Sequence, residues 1–357
     1  MNFSLYSLLN LKNRCRSIVK NMDIYDQQRR YTRARQNFES IVTRSDKKLV
    51  DKFILKAQAD DLSIYRIIKY YSVLTQLSKL LNKPFHKADY EDMIYLAASI
   101  NQADLSDWTK RDYKIVLRLF YRFIEKPELV DWIQTPRPRS PLPDLLTYEE
   151  IHQMIHATKN HRDPALIISF YESGARPGEW FSSIRLKNIS EEFVKVYQPQ
   201  VINGNIQLLP LMVYTMIVIV HGKTGGRRIR LIHSAPYIKE WLIHHPCRDD
   251  PDAPLWVTCN DHEIMKYDTI LRTIQRAARN AHITKKINLR MFRHSQSTNL
   301  ANYLTESQLK EKQGWSPNSD MPGTYVHLSG KNIDPAMYNM NGWIDGKLID
   351  QTLLNQI

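Results

Sequence analysis

The chain of 357 residues carries 50 Lys and Arg against 37 Asp and Glu, a net charge of +13, with 43% hydrophobic and 10% aromatic residues. That composition excludes a disordered or collagen-like chain and suffices to bury a core in two domains of roughly 100–200 residues each. The longest apolar run, Leu208 to Val220, falls short of the roughly 20 residues of a membrane-spanning helix and reads as buried strand.

The amino terminus has no charged leader before its apolar stretch and no small-residue cleavage site, so no secretory signal is expected. Cys15, Cys247 and Cys259 are too few for a closed disulfide framework, which agrees with a reducing compartment; the expected location is the cytoplasm. The positive charge points to a polyanionic partner, nucleic acid first, because each Lys or Arg set on a phosphate releases a condensed counterion.

Residues 1–35 hold Lys12, Arg14, Arg16, Lys20, Arg29, Arg30, Arg33 and Arg35 against Asp23 and Asp26. They read as a basic N-terminal arm, or else as a solvated helix or an upstream extension of the reading frame. Residues 36–124 are patterned as helices. Ser63 precedes Ile64, Ile67, Ile68, Tyr71 and Leu74, and Ser106 precedes Tyr113, Val116, Leu117, Phe120 and Ile124; both sets keep the three-and-four spacing of one helix face. Residues 125–144 contain Pro127, Pro136, Pro138, Pro141 and Pro143 with Arg137 and Arg139 between them, an extended linker on the proline rules.

A second domain opens at Leu145, where Thr147 and Glu150 form a capping-box pattern before Ile151, Met154 and Ile155. Val194–Tyr197 and Leu211–Val220 are predicted strands, and the second runs through a Gly-containing turn into Arg228–Ile232, a β-hairpin. Helical patterns return at Pro236–Ile243, Asp268–Ala281, Met291–Leu304 and Glu306–Gln313. The expected fold is mainly α with a small antiparallel β-sheet, in two domains.

Neither a phosphate-binding P-loop nor a dinucleotide fingerprint is present, so no nucleotide cofactor is expected. His244, His245, Cys247, Cys259 and His262 lack the paired C-x-x-C spacing of a zinc site and read as an ordinary loop; no metal is expected. What remains is a dispersed basic set ending in a tyrosine. Arg176 lies in Ser-Gly-Ala-Arg-Pro-Gly-Glu, with Pro177 suited to a helix start. Lys223 sits at the hairpin tip, within Gly-Lys-Thr-Gly-Gly-Arg-Arg. Arg293 is in Phe-Arg-His-Ser, with Arg290 one helical turn earlier, Trp315 follows Gly314, and Tyr325 is in Tyr-Val-His-Leu-Ser.

These five segments, in this order, resemble the tyrosine recombinase (phage integrase) family, and most closely its archaeal members. The resemblance covers most of the chain: residues 145–330 are similar to the family's catalytic domain and residues 36–124 to its helical core-binding domain, a two-domain DNA clamp. It implies a site-specific recombinase that cuts and rejoins double-stranded DNA through a 3′-phosphotyrosyl intermediate, without metal or ATP, as a tetramer of itself on paired sites. Carried over by motif, Arg176 and Arg293 clamp the scissile phosphate, Lys223 is the hairpin lysine, Trp315 holds the His-or-Trp position and Tyr325 is the nucleophile.

Arg290 stands where most members have the His of H-x-x-R. A guanidinium cannot take the phenolic proton, so Arg290 is expected to add positive potential that lowers the phenol's pKa or to bind a phosphate oxygen, and His294 and His327 are candidate proton carriers in its place. The chemistry is coherent: a phenol with pKa near 10 is both nucleophile and later leaving group, arginine forks match phosphate, and an ammonium can protonate the departing 5′ oxygen.

Residues 331–357 end in Leu348, Ile349, Leu353, Leu354 and Ile357, an apolar stripe read either as a helix exchanged with a neighbouring protomer or as packing on its own domain. Two other functions share these residues: a recombinase-like protein that binds DNA without cutting it, which Arg290 would explain, and a nicking-closing enzyme like type IB topoisomerases.

Overall fold

The computed structural model describes residues 23–138, 144–203, 205–222 and 225–329. Outside them lie most of the basic arm, linker residues 139–143, Lys223 and the C-terminal tail, and also the side chains of 326–329 with His327. Tyr25–Pro141 forms one compact unit; Leu142 onward forms the other, which also includes Ile24.

The first unit contains α1 (Gln27–Glu39), α2 (Arg44–Ala59), α3 (Ile64–Leu81), α4 (Tyr90–Gln102) and α5 (Asp107–Phe123). Side chains cap three of them: Thr43 accepts the Asp46 N–H, Asp89 and Asp92 form a reciprocal box, and Ser106 accepts the Thr109 N–H. Ser63 stands at the N-cap of α3 but makes no capping bond with its side chain. The face anticipated for α3 turns Ile67, Tyr71 and Leu74 into the core, and that of α5 turns in Val116, Leu117 and Phe120. Buried Asp46 accepts the Phe85 N–H at 2.9 Å and Tyr121 Oη donates to the Phe85 carbonyl at 3.0 Å, so two helices grip the segment between α3 and α4.

Both boundaries of this unit differ from the expected ones. Helix α1 begins inside the stretch assigned to the arm. Its arginines at 29, 30, 33 and 35 dominate the composition, yet Tyr31, Ala34 and Phe38 recur on the opposite face and pack on the core, with the Phe38 and Tyr71 rings 5.5 Å apart. At the other end, Val130 and Ile133 of the supposed linker are buried in the same core. Pro127 there starts a short 3₁₀ turn instead of an extended spacer.

The second unit opens with α6 (Tyr148–His156), where the Thr147–Glu150 capping box forms and Lys285 bonds Glu150 at 2.7 Å. Helix α7 (Arg162–Ser173) is buried on nearly every side and is the centre of the unit. After α8 (Pro177–Ser182) comes an antiparallel sheet in the order β1 (Ile189–Ile202), β2 (Asn205–Gly222), β3 (Gly225–Leu231). Strand β3 pairs only with Met216–Gly222, so the outer part of β1 and β2 is a two-stranded ribbon. Its register sets Tyr197 opposite Pro210, Pro199 opposite Leu208 and Val201 opposite Ile206, and Phe193, Tyr197, Ile206, Leu208 and Met212 are exposed. Both strands are longer than predicted because the prolines and glutamines at 198–210 read as loop; prolines are tolerated where only one neighbour pairs.

Helices α9 (Ala235–Ile243), α10 (Tyr267–Asn280), α11 (Leu289–Leu300), α12 (Glu306–Gln313) and α13 (Met321–Ser329) complete the unit. Helix α11 starts and stops earlier than expected; Asn288 caps it by accepting the Met291 N–H at 3.0 Å. Among the described residues, no helix is long and apolar enough to cross a membrane.

Candidate active site

Arg176 occupies the N-cap of α8, with Pro177 at the first helical position. The chain reaches it through Gly174, which ends α7 at φ 59°, and a Cβ there would meet the Gln313 amide at 2.6 Å, so only glycine fits. Arg176 Nη1 lies 2.6 Å from Glu179 Oε1, while its backbone N–H donates to Glu179 Oε2 at 3.1 Å. The Arg176 side chain keeps 41% exposure, so its guanidinium remains open to an incoming anion.

Glu179 has the opposite character. Its side chain is 5% exposed, and its second oxygen pairs with Arg227 of β3 at 2.8 Å, itself 10% exposed. Burial opposes ionisation of this carboxyl, but the hydrogen bond and charge of Arg227, joined by Arg176, outweigh it and hold the group below the ordinary carboxylate range. The same carboxylate seats the hairpin: a Cβ on Gly222 would lie 2.5 Å from Glu179 Oε1. A Cβ on Gly314 would lie 2.6 Å from Arg227 Nη1. Two glycines and one buried acid therefore bring the Arg176 turn, the end of the hairpin and the α12–Trp315 turn together.

Arg293, on α11, is buried. Its Nη1 donates to the Gly174 carbonyl at 2.9 Å and its Nη2 to the Gln313 carbonyl at 2.8 Å, which fixes the fork between the ends of α7 and α12. Burial, then the neighbouring Arg176 charge, push its pKa down to about 10, still a cation at neutral pH. Its guanidinium sits 5.4 Å from the Trp315 ring centroid. Trp315 in turn stacks on Tyr325, with centroids 5.4 Å apart and planes within 13°.

Tyr325, on α13, is 1% exposed. Its hydroxyl lies 2.9 Å from His294 Nδ1. Burial raises the phenol pKa, and the charges of Arg293, Arg290 and Arg176 act in the opposite direction. His294 is pushed below its ordinary value by burial and by Arg290 and Arg293, so the imidazole is neutral at pH 7. Arg290 itself is exposed and acts on both rings through its charge.

Arg176, Arg293, Trp315 and Tyr325 thus fall into one connected cluster, with Arg290 at its edge. Lys223 lies outside the described residues, although Gly222 beside it abuts Glu179. Sequence reasoning gave no role to Glu179 or Arg227. Glu179 stands three residues after Arg176 in a helix start, an ion-pair spacing that could have drawn notice; Arg227 has no such local signal.

In the cysteine–histidine loop, His245 Nε2 lies 3.1 Å from the Pro254 carbonyl and its Nδ1 accepts the Cys247 N–H. Burial pushes this imidazole down to about 4. The described side chains close enough to share a cation are His161, Glu240 and His244, all exposed; His161 and His244 stack at 3.7 Å, and none belongs to the tyrosine cluster.

Arg176 and Arg293 thus act on the Tyr325 phenol, which touches a neutral imidazole, and arginine forks match phosphate oxygens. Residues 144–331, more than half of the chain, match the phage integrase family, and the chain belongs to that family. It is 25% identical over 175 residues to tyrosine recombinase XerC of Natranaerobius thermophilus, a match covering 44% of this chain and 57% of that protein. Its fold is similar to that of XerH site-specific recombinase bound to a palindromic difH substrate, with TM-score 0.60 and 18% identity over 92% of each chain. It is also similar to a lambda integrase tetramer bound to a Holliday junction, with TM-score 0.58 and 11% identity over 82% of this chain and 80% of that one.

Proposed function

We propose that this protein is a site-specific DNA recombinase that cuts and rejoins duplex DNA through a 3′-phosphotyrosyl intermediate. The observation that carries this reading is the cluster around Tyr325, in a chain of the phage integrase family: a nucleophile whose phenol can attack phosphorus, beside Arg293 and Arg176, which can neutralise the charge growing on the non-bridging oxygens. Trp315 adds an indole N–H donor, and Lys223 protonates the departing 5′ oxygen. The covalent product keeps the energy of the phosphodiester, so rejoining needs no ATP.

The substrate is double-stranded DNA, and the working form is a tetramer on paired sites. Support for both comes from the relatives of similar fold, which were solved on DNA as XerH complexes and as a lambda integrase tetramer. The net charge of +13 suits a partner held through its phosphates. The protein acts inside the host cell, on a mobile element or virus, and its kinship with archaeal members rests on the five motif segments.

The test is strand cleavage by wild type and Tyr325→Phe on labelled DNA from the flanks of the gene. Wild type is expected to cleave and the variant to bind with equal affinity and leave the strand intact. Cleavage by Tyr325→Phe would refute the reading.

A further inference from the structure

Arg290 stands one helical turn before Arg293, where the resemblance sets a histidine, and a guanidinium cannot accept the phenolic proton. We propose that His294 is the general base of this enzyme: its Nδ1 takes the Tyr325 proton during strand cleavage and returns it during rejoining. The inference rests on the strand-cleavage reading above and adds to it the residue that moves the proton.

His294 Nδ1 lies 2.9 Å from Tyr325 Oη, within the reach required of a general base, and the two rings sit 5.6 Å apart at 38°. Contact with the reacting oxygen is direct. The other groups acting on the phenol are Arg293, Arg290, Arg176 and the Ser297 hydroxyl. Three are guanidiniums that stay protonated, and an alcohol is too weak a base at neutral pH, so none of them can accept a proton.

The surroundings keep His294 in its basic form. Arg290 and Arg293 flank it on α11, four residues and one residue away, and both disfavour a second positive charge. Of the neighbouring helices, α13 presents Tyr325. Helix α7 carries Glu172, but that carboxylate is occupied by the Ile232, His233 and Ser234 N–H groups and the Ser234 hydroxyl. Helix α12 carries Lys312, which is attracted by Glu172 and repelled by Arg227. No carboxylate is among the groups that shift His294. Arg290 thus has a part in the same device: in place of a base it supplies charge that keeps the neighbouring imidazole neutral.

The step balances. The Oη–H bond breaks as Oη bonds to phosphorus, the proton passes to Nδ1, and the P–O5′ bond breaks with its oxygen protonated by Lys223. In rejoining, the 5′ hydroxyl attacks, the P–Oη bond breaks, and Nδ1–H gives the proton back to the phenolate.

The test is single-turnover cleavage by wild type, His294→Asn, His294→Ala and Lys223→Ala over pH 5–10, on ordinary DNA and on DNA with a 5′-bridging sulfur at the scissile phosphate. A thiolate leaves without a proton, so sulfur is expected to restore Lys223→Ala and not the His294 variants. His294→Asn keeps a hydrogen-bonding group near the Nδ1 position but cannot carry a proton. Both His294 variants are expected to bind DNA as wild type does, to cleave about 10²–10⁴-fold more slowly at pH 7, and to recover roughly tenfold per pH unit as the phenol ionises unaided. The wild-type rate is expected to level off by neutral pH, where His294 is already deprotonated, whereas the rate of the variants keeps rising into the alkaline range. A His294→Asn rate within a few-fold of wild type, a plateau by neutral pH in the His294 variants, or their rescue by sulfur would each overturn the assignment. No cleavage by the wild type on either DNA would overturn the strand-cleavage reading itself.

Discussion

Replacing Glu179 by Gln tests whether one buried carboxylate holds the active-site segments together. The pair with Arg227 is 2.8 Å long and nearly sealed from water, at 5% and 10% side-chain exposure, so solvent screens it little. Removing one partner of such a pair costs about 3–5 kcal/mol, chiefly because the other charge stays buried and uncompensated. The Arg176 contact adds little, since that side chain is 41% exposed and an ion pair open to water contributes about 0–1 kcal/mol. Gln retains the size and one acceptor, so the lower end, about 3 kcal/mol, is expected. Urea unfolding followed by the fluorescence of Trp180 and Trp256, both buried in the same unit, reads this directly.

The pH dependence has a fixed sign. Because the Glu179 pKa is lower in the folded state than its ordinary value of 4.5, its contribution is complete above about pH 4.5 and disappears as pH falls through the folded value. The gap between wild type and Glu179→Gln is therefore expected to be flat from pH 8 to 5 and to close on further acidification. A gap below about 1 kcal/mol at pH 7, or one that widens in acid, would refute the reasoning.

Three further outcomes are expected. Phe38→Ala, in α1, should destabilise the helical unit by about 3–5 kcal/mol in urea unfolding, because Phe38 is fully buried; a loss under about 1 kcal/mol would return α1 to the arm. Gly314→Ala should slow cleavage more than it weakens DNA binding and cost about 1–3 kcal/mol of stability, since it strains φ 60° and drives Cβ to 2.6 Å from Arg227; unchanged cleavage would detach this turn from the site. Deleting residues 1–22, with Lys12, Arg14, Arg16 and Lys20, should flatten the slope of log affinity against log salt by about 0.9 for each phosphate these residues neutralise, and an unchanged slope would remove them from the DNA interface.

What was legible in the sequence was whatever a local pattern encodes. The faces of α3 and α5, the Thr147 capping box, the Pro177 helix start and the bounds of α12 follow from spacing and cap chemistry alone. Helix α1 was hidden because four arginines outweighed Tyr31, Ala34 and Phe38 in composition. The outer ribbon was hidden because Pro199 and Pro210 signal loops, although a two-stranded edge accommodates them. The motifs named the arginines, the tryptophan and the tyrosine, but not what joins them. Glu179 reaches Arg227 across 48 residues, and His294 reaches Tyr325 across 31, contacts made only by the packing of β3, α8, α11 and α13. His294 was one of two candidate histidines in the sequence, and its Nδ1 lies 2.9 Å from the phenol oxygen.

The central claim is that Tyr325 becomes covalently joined to DNA. The most direct measurement is mass spectrometry of the adduct formed in EDTA on DNA from the gene flanks, after digestion with nuclease and protease. The account predicts a nucleotide linked through its 3′ phosphate to the peptide containing Tyr325, at equal yield with and without added metal. A nucleotide on any other residue, or an adduct that forms only when metal is supplied, would contradict it.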